Sequence, residues 1–219
     1  VQRQMRSAFV VATILLLIQV LGLVPNASAE TVIVWSKSGG PYLVSGQFSV
    51  PTGTTLIIEP GVVVRFDAGA SIFAEGRLLV QGSVAEKVLF TSSSQTPAPN
   101  DWQGIFVGGG GSIQHAISEY AFFGFHISSS IKVSDVIVRH NAHGIYALRC
   151  SPTISNVAAE GNTLSGIYND HATAMISDVD ISGSPWGIYL YSSESNSVIE
   201  RAHIHDMAPE SYALTSIYN

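Results

Sequence analysis

Apolar positions in the second half of the chain recur with a period near 21 residues. Four segments begin alike: Gly124-Phe125-His126, Gly144-Ile145-Tyr146, Gly166-Ile167-Tyr168 and Gly187-Ile188-Tyr189, at spacings of 20, 22 and 21. A second common piece follows each: Val133-Ser134-Asp135-Val136, Ile154-Ser155-Asn156-Val157, Ile176-Ser177-Asp178-Val179 and Ile199-Glu200-Arg201-Ala202. A third apolar column runs through Val138, Ala159, Ile181 and Ile204. The runs are short, alternating and rich in Ile and Val, with Gly, Ser, Asn and Asp between them, which is strand and not helix patterning. One such unit cannot bury its apolar side alone. Stacked coils can, each strand pairing with its equivalent in the next coil about 4.8 Å away. Leucine-rich repeats share the period, but their L-x-x-L-x-L-x-x-N pattern is absent.

The first half follows the same scheme less regularly. Short strands are expected at Leu56 to Ile58, Val62 to Phe66, Ser71 to Ala74, Arg77 to Val80 and Val88 to Thr91. Turns fall at Pro51-Thr52-Gly53, Glu59-Pro60-Gly61, Asp67-Ala68-Gly69 and Glu75-Gly76. Ser92 to Asp101 reads as a protruding loop, and Gly108 to Gly111 as a turn before Ser112 to Ile117. The pattern predicts an all-β, single-stranded right-handed parallel β-helix (a β-solenoid) of seven or eight coils of about 21 residues.

Val50 to Val62 (VPTGTTLIIEPGV) resembles the N-terminal coil of secreted right-handed parallel β-helix repeat proteins, which share the pectate-lyase-like fold. Leu89-Phe90-Thr91-Ser92 followed by Asp101-Trp102-Gln103-Gly104-Ile105 is similar to the same family, as are the Gly-Ile-Tyr coils. The resemblance runs from Tyr42 to Met207. It implies the fold; function varies among such proteins, from pectate lyases and polygalacturonases to tailspikes and non-enzymatic surface proteins.

Residues 1–29 read differently. Arg3 and Arg6 precede an apolar run from Ala8 to Val24, and Pro25 leads to Ala27-Ser28-Ala29, a small-residue cleavage site. This is the pattern of a secretory signal peptide cut after Ala29, leaving a β-helix domain from 30 to 219 that is secreted or held at the cell surface. An uncleaved anchor is the competing reading, since the run approaches spanning length. Cleavage leaves no span in the mature part. The formal charge is −6, and −8 once Arg3 and Arg6 are gone, which argues against nucleic acid or anionic lipid as partner. It is compatible with calcium, although no cofactor is firmly implied. Cys150 is the single cysteine, so no intrachain disulfide forms, and a buried thiol is expected. The chain ends on Ser211-Tyr212-Ala213-Leu214, which resembles the start of another coil. An uncapped or truncated end of this kind offers an edge for end-to-end association.

Aligning the coils turns the sequence into columns. His126, Tyr146, Tyr168 and Tyr189 form an outward aromatic ladder, a candidate strip for binding sugar rings and equally a stabilising stack. A second outward column holds Ile137, Ala158, Asp180 and His203, and a third Arg139, Glu160, Ser182 and His205. Together they bring Arg139, Glu160, Asp180, His203 and His205 onto one exposed face, with Arg139 beside Glu160 and Asp180 beside His203; Arg139, Glu160, Asp180 and His203 are the candidate catalytic residues. Two carboxylates about 8 Å apart suit a glycoside hydrolase, and an acid, a base and calcium suit a polysaccharide lyase. Cross-strand ion pairs on a solvated face explain the same residues. Asp135, Asn156, Asp178 and Arg201 stand where each coil turns and serve the turn. Calcium between Asp135 and Asp178 is the alternative. His203-x-His205-Asp206 has metal-like spacing, but the adjacent coil, with Ser182 opposite His205, adds no further histidine, so no metal site is assigned. G-x-S-x-G, P-loop and zinc-finger patterns are absent, as are the N-x-D, D-D and G-H-G runs of polygalacturonases. The expected function is an exported structural or interaction module that binds polysaccharide or cell-surface components. A polysaccharide-modifying enzyme is the alternative.

Overall fold

The structure, a computed structural model, describes residues 30–191, 196–208 and 212–217. The leader-like segment and the Ala29 cleavage site lie outside the described residues. The chain winds into a right-handed parallel β-solenoid of about 8 turns at a spacing near 22 residues. The first four coils each hold three short strands. These are β1 (Thr31–Trp35), β2 (Tyr42–Val44) and β3 (Gln47–Val50); β4 (Thr54–Ile58), β5 (Val63–Phe66) and β6 (Ser71–Ala74); β7 (Arg77–Gln81), β8 (Val88–Ser92) and β9 (Trp102–Val107); and β10 (Gly111–Gln114), β11 (Ala116–Glu119) and β12 (Ala121–Ile127). Later coils hold two longer ones: β13 (Lys132–Arg139) and β14 (His143–Leu148), β15 (Thr153–Glu160) and β16 (Ser165–Asp170), β17 (Met175–Ser182) and β18 (Trp186–Tyr191), β19 (Val198–His205) and β20 (Tyr212–Ile217).

All pairing is parallel and follows two sheets. The first sheet begins as two rows, β1-β4-β7-β10 and β2-β5-β8-β11, which fuse on β13 and continue through β15, β17 and β19. The second sheet runs β3-β6-β9-β12-β14-β16-β18-β20. Fusion is possible because one residue in each long strand takes a left-handed conformation and bends it: Asp135 (φ 60°), Asn156 (φ 52°), Asp178 (φ 56°) and Arg201 (φ 50°). Asn and Asp tolerate that region best among residues with a Cβ, which explains the column. His115 (φ 48°) makes the same bend between β10 and β11, so the expected strand over Ser112 to Ile117 is split there. The strand Thr31–Trp35, which the period did not reveal, pairs with β4. Tyr212 to Leu214 continue the Gly-Ile column on β20, opposite Trp186 to Ile188.

The repeated glycine has a steric cause. A Cβ on Gly144 would stand 2.5 Å from the Gly166 carbonyl oxygen and 2.7 Å from Val138 Cγ2, and one on Gly124 would stand 2.5 Å from the Gly144 oxygen. The next residue, Phe125, Ile145, Ile167 or Ile188, is fully buried, as are Val138, Ala159 and Ile181. The N-terminal coils fill the same space with rings: Phe66 stacks on Trp102 with centroids 3.9 Å apart, and Phe90 meets Phe125 edge to face.

The corner between the sheets is held by buried asparagines. Asn162 Oδ1 accepts from the Asn141 backbone N–H (3.1 Å) and from Asn141 Nδ2 (3.2 Å), while Asn162 Nδ2 donates to the Val138 carbonyl (3.0 Å). Asn141 in turn binds the Ser118 carbonyl and the Ala121 N–H. A corner has no ladder partner for these backbone groups, so a side-chain amide supplies both a donor and an acceptor. Cys150 is buried, its thiol donating to the Ile127 carbonyl at 3.4 Å, and burial pushes its pKa up to about 11.

Candidate functional site

The register confirms all three outward columns. On the second sheet His126, Tyr146, Tyr168 and Tyr189 are successive partners. Their centroids lie 5.1, 4.9 and 4.8 Å apart with interplanar angles of 12°, 8° and 25°. The stack is longer than the repeats suggested. Phe106 lies 5.1 Å from His126 and Phe73 lies 6.0 Å from Phe106, so the column reaches back into the second coil. A second row flanks it. Phe123 stacks on His143 at 5.5 Å, and Trp186 tilts against Tyr189 at 5.0 Å. The early rings were missed because their coils lack the Gly-Ile-Tyr signature; only the partner-by-partner register places them.

Parallel stacking turns the ring faces toward one another. The strip therefore presents ring edges and hydroxyls outward, and not a pavement of open faces. Tyr146 OH donates to Asp170 Oδ2 at 2.6 Å, fixing that acid beside the ladder. The Tyr168 and Tyr189 hydroxyls bond to no protein group among the described residues. Packing shapes the acid–base character of the face. Burial lowers the pKa of His126, and that of His143 to about 4, so both are neutral at pH 7. Burial, with the negative field of Tyr189 and Asp170, raises Tyr168 to about 12. Burial and Asp170 push Tyr146 up as well.

The outer face of the first sheet carries charge. Ile137, Ala158, Asp180 and His203 are register partners, as are Arg139, Glu160, Ser182 and His205. Arg139 adjoins Glu160 in register, yet its guanidinium turns to the other neighbour. Nε and Nη2 both lie 2.8 Å from Glu119 Oε2. Glu119 is nearly buried and also accepts from Thr91 Oγ1 at 2.8 Å. A carboxylate shielded from water gains more from a counter-ion than exposed Glu160 does, and that decides the choice. Glu160 makes no side-chain bond among the described residues. It lies on the strand next to Asp180, two positions out of register. Asp180 does meet His203, with Nδ1 2.9 Å from Oδ1. His205 Nε2 approaches the same oxygen at 3.2 Å. The third donor near the two histidines is thus Asp180, which the columns set beside His203, while Ser182 is the register partner of His205.

The bend column behaves as a ladder. Asn156 Nδ2 donates to Asp135 Oδ1 at 3.2 Å, and Arg201 grips both oxygens of Asp178 at 2.5 and 2.8 Å. Asp135 and Asp178 stand two coils apart with Asn156 between them. Arg201 therefore holds the Asp178 pKa below the usual carboxylate range. A groove of about 420 Å³ follows this bend, bordered by Lys87, His115, Asp135, Asp178 and Asp180.

Two adjoining matches with known families run from residue 28 to residue 219. Residues 28–128 match the model described as a pectate-lyase like beta helix domain, and residues 123–219 the one described as a right handed beta helix region. The chain belongs to the right-handed β-helix family. No match was found among curated proteins or among solved structures. Among the described residues no helix is long and apolar enough to cross a membrane.

Proposed function

We propose that the chain is an exported β-helix module whose second sheet binds a polysaccharide strand along its aromatic strip. The observation that carries this is the continuous column of rings, tilted from Phe73 through Phe106 to His126 and stacked from His126 through Tyr146 and Tyr168 to Tyr189, one ring per coil at 4.8 to 6.0 Å. A polymer laid across the coils meets a repeating apolar edge and, from Tyr168 and Tyr189, hydroxyls that have no partner among the described residues and can bond its own. Tyrosine suits this because a rigid apolar body ends in a hydrogen-bonding tip. Asp170, set beside the strip by Tyr146, favours neutral or cationic sugars over uronates at that point. Export is supported by the Arg3/Arg6 start, the apolar run and the Ala27-Ser28-Ala29 site, with the mature chain beginning at Glu30.

A panel of neutral and acidic polysaccharides, with and without calcium, tests this by retention, reducing ends and unsaturated products read together. Retention without turnover, weakened about tenfold by Tyr168→Ala, is expected. Turnover abolished by Glu160→Ala or Asp180→Ala would install a lyase or glycoside hydrolase on the first sheet instead. No retention by any glycan would end the binding reading and leave a structural module.

A further inference from the structure

A cluster on the other sheet lies apart from the aromatic strip. Asp180 leaves β17, and His203 and His205 leave the same side of β19, two residues apart. The two imidazoles stack with centroids 4.4 Å apart and planes at 21°. Both turn a nitrogen toward one atom: His203 Nδ1 lies 2.9 Å and His205 Nε2 lies 3.2 Å from Asp180 Oδ1. One donor atom from each of the three residues lies within 4.8 Å of the others. A tetrahedral zinc ion with bonds of about 2.0–2.1 Å spaces its ligand atoms about 3.3 Å apart. Two edges of the triangle already have nearly that length.

The far side of His205 is also arranged. Its Nδ1 lies 2.7 Å from Asp206 Oδ2. A carboxylate on one imidazole nitrogen fixes the ring and aims the other nitrogen, which is how metal-bound histidines are held. The nearby cation, Arg201, is engaged by Asp178 and Glu200 and does not oppose a bound ion. Asp180 also borders the groove along the bend, so an ion held there is open to solvent and to an incoming oxygen ligand.

We infer that Asp180, His203 and His205 form a binding site for a divalent transition cation of the zinc class, with Asp206 as the residue that positions His205. Two imidazoles with one carboxylate select zinc, cobalt, nickel or copper over calcium and magnesium, which take oxygen ligands. The ion takes the place of the protons now shared between the two imidazole nitrogens and Asp180, and the His205–Asp206 bond is retained. Three protein ligands leave a fourth position for water.

Calorimetric titration of the chelator-treated, untagged chain with zinc chloride tests this, with cobalt as a visible-spectrum reporter. One zinc per chain is expected. Affinity should fall more than tenfold in His203→Ala and His205→Ala, and about 10- to 100-fold in Asp206→Asn. It should be unchanged in His171→Ala and unaffected by excess calcium. All four side chains sit at the surface, so the variants should keep the parent's circular dichroism and unfolding temperature. Zinc bound equally well by the His203→Ala/His205→Ala double variant would overturn the assignment. So would no uptake at millimolar zinc, or displacement of the ion by calcium.

Discussion

The two outer faces shift the pKa of the same residue type in opposite directions. On the second sheet His126 and His143 lie among rings, and burial depresses both pKa values, that of His143 to about 4. On the first sheet His205 stands in the open between Asp206 and Asp180, whose carboxylates raise its pKa. Both faces obey one stacking law, in which a side chain's neighbours are the residues one coil before and after. What differs is the column. Aromatic columns satisfy themselves by packing and exclude water, so charge is disfavoured. Mixed acid–base columns stay wet and pair ionically. One solenoid can thereby carry an apolar strip and a cation-binding cluster on faces separated only by a corner.

The largest expected effect comes from breaking the corner itself. Asn162→Ala removes the side-chain partner of the Asn141 backbone N–H and of the Val138 carbonyl, and leaves Asn141 Nδ2 only its Ser118 bond, which costs about 3 kcal/mol. Thermal unfolding should fall by about 6 to 12 °C, disturbing both faces together. Tyr168→Ala acts on one face alone. It removes three ring contacts, two stacked at 4.9 and 4.8 Å and one edge-on to His143 at 5.6 Å, for about 2 kcal/mol, measurable by chemical denaturation.

Acid should separate the faces further. The His143 ring meets Ser165 Oγ, Phe122, Phe123, Tyr146 and Tyr168, and among the described residues it forms no ion pair. Between the ordinary 6.5 and about 4 the unfolded chain binds more protons at this residue than the folded one, so its contribution to stability falls as pH drops through that window. His205 works in the opposite sense. Its contribution is complete below 6.5 and is lost as pH rises through its raised folded value. Histidine NMR titrations should show His143 and His126 titrating below 6.5 and His205 above it, and His143→Asn should flatten the acid limb of stability. The smallest effects belong to the charged face. Arg139→Ala leaves nearly buried Glu119 without its counter-ion and should cost about 1 kcal/mol. Arg201→Ala, at a fully solvated pair, should leave the unfolding temperature unchanged.

The coils of residues 124–207 were legible because Gly, Ile and Tyr recur at fixed offsets, and that recurrence has a steric origin at Gly144 and its equivalents. The outward columns followed directly. Coil boundaries in the first half were partly legible, since turn glycines mark them, but β1 has no repeat signature and was invisible. The Arg139–Glu119 pair was missed because Glu119 belongs to a coil split by His115, outside the aligned set. Asn141 and Asn162 belong to none of the aligned columns; their inward direction depends on the corner geometry, which no linear pattern encodes. Asp180 and His203 were placed side by side correctly, yet the convergence of His205 on the same oxygen needed side-chain positions.

The most direct test of the binding account compares the two faces in one retention experiment on immobilised polysaccharide. Tyr168→Ala/Tyr189→Ala is measured against Asp180→Asn/His203→Ala, with circular dichroism confirming that both keep the β fold. The account predicts that the first double variant loses retention and the second keeps it. Retention that survives loss of the two tyrosines, or that vanishes with Asp180 and His203, would contradict it.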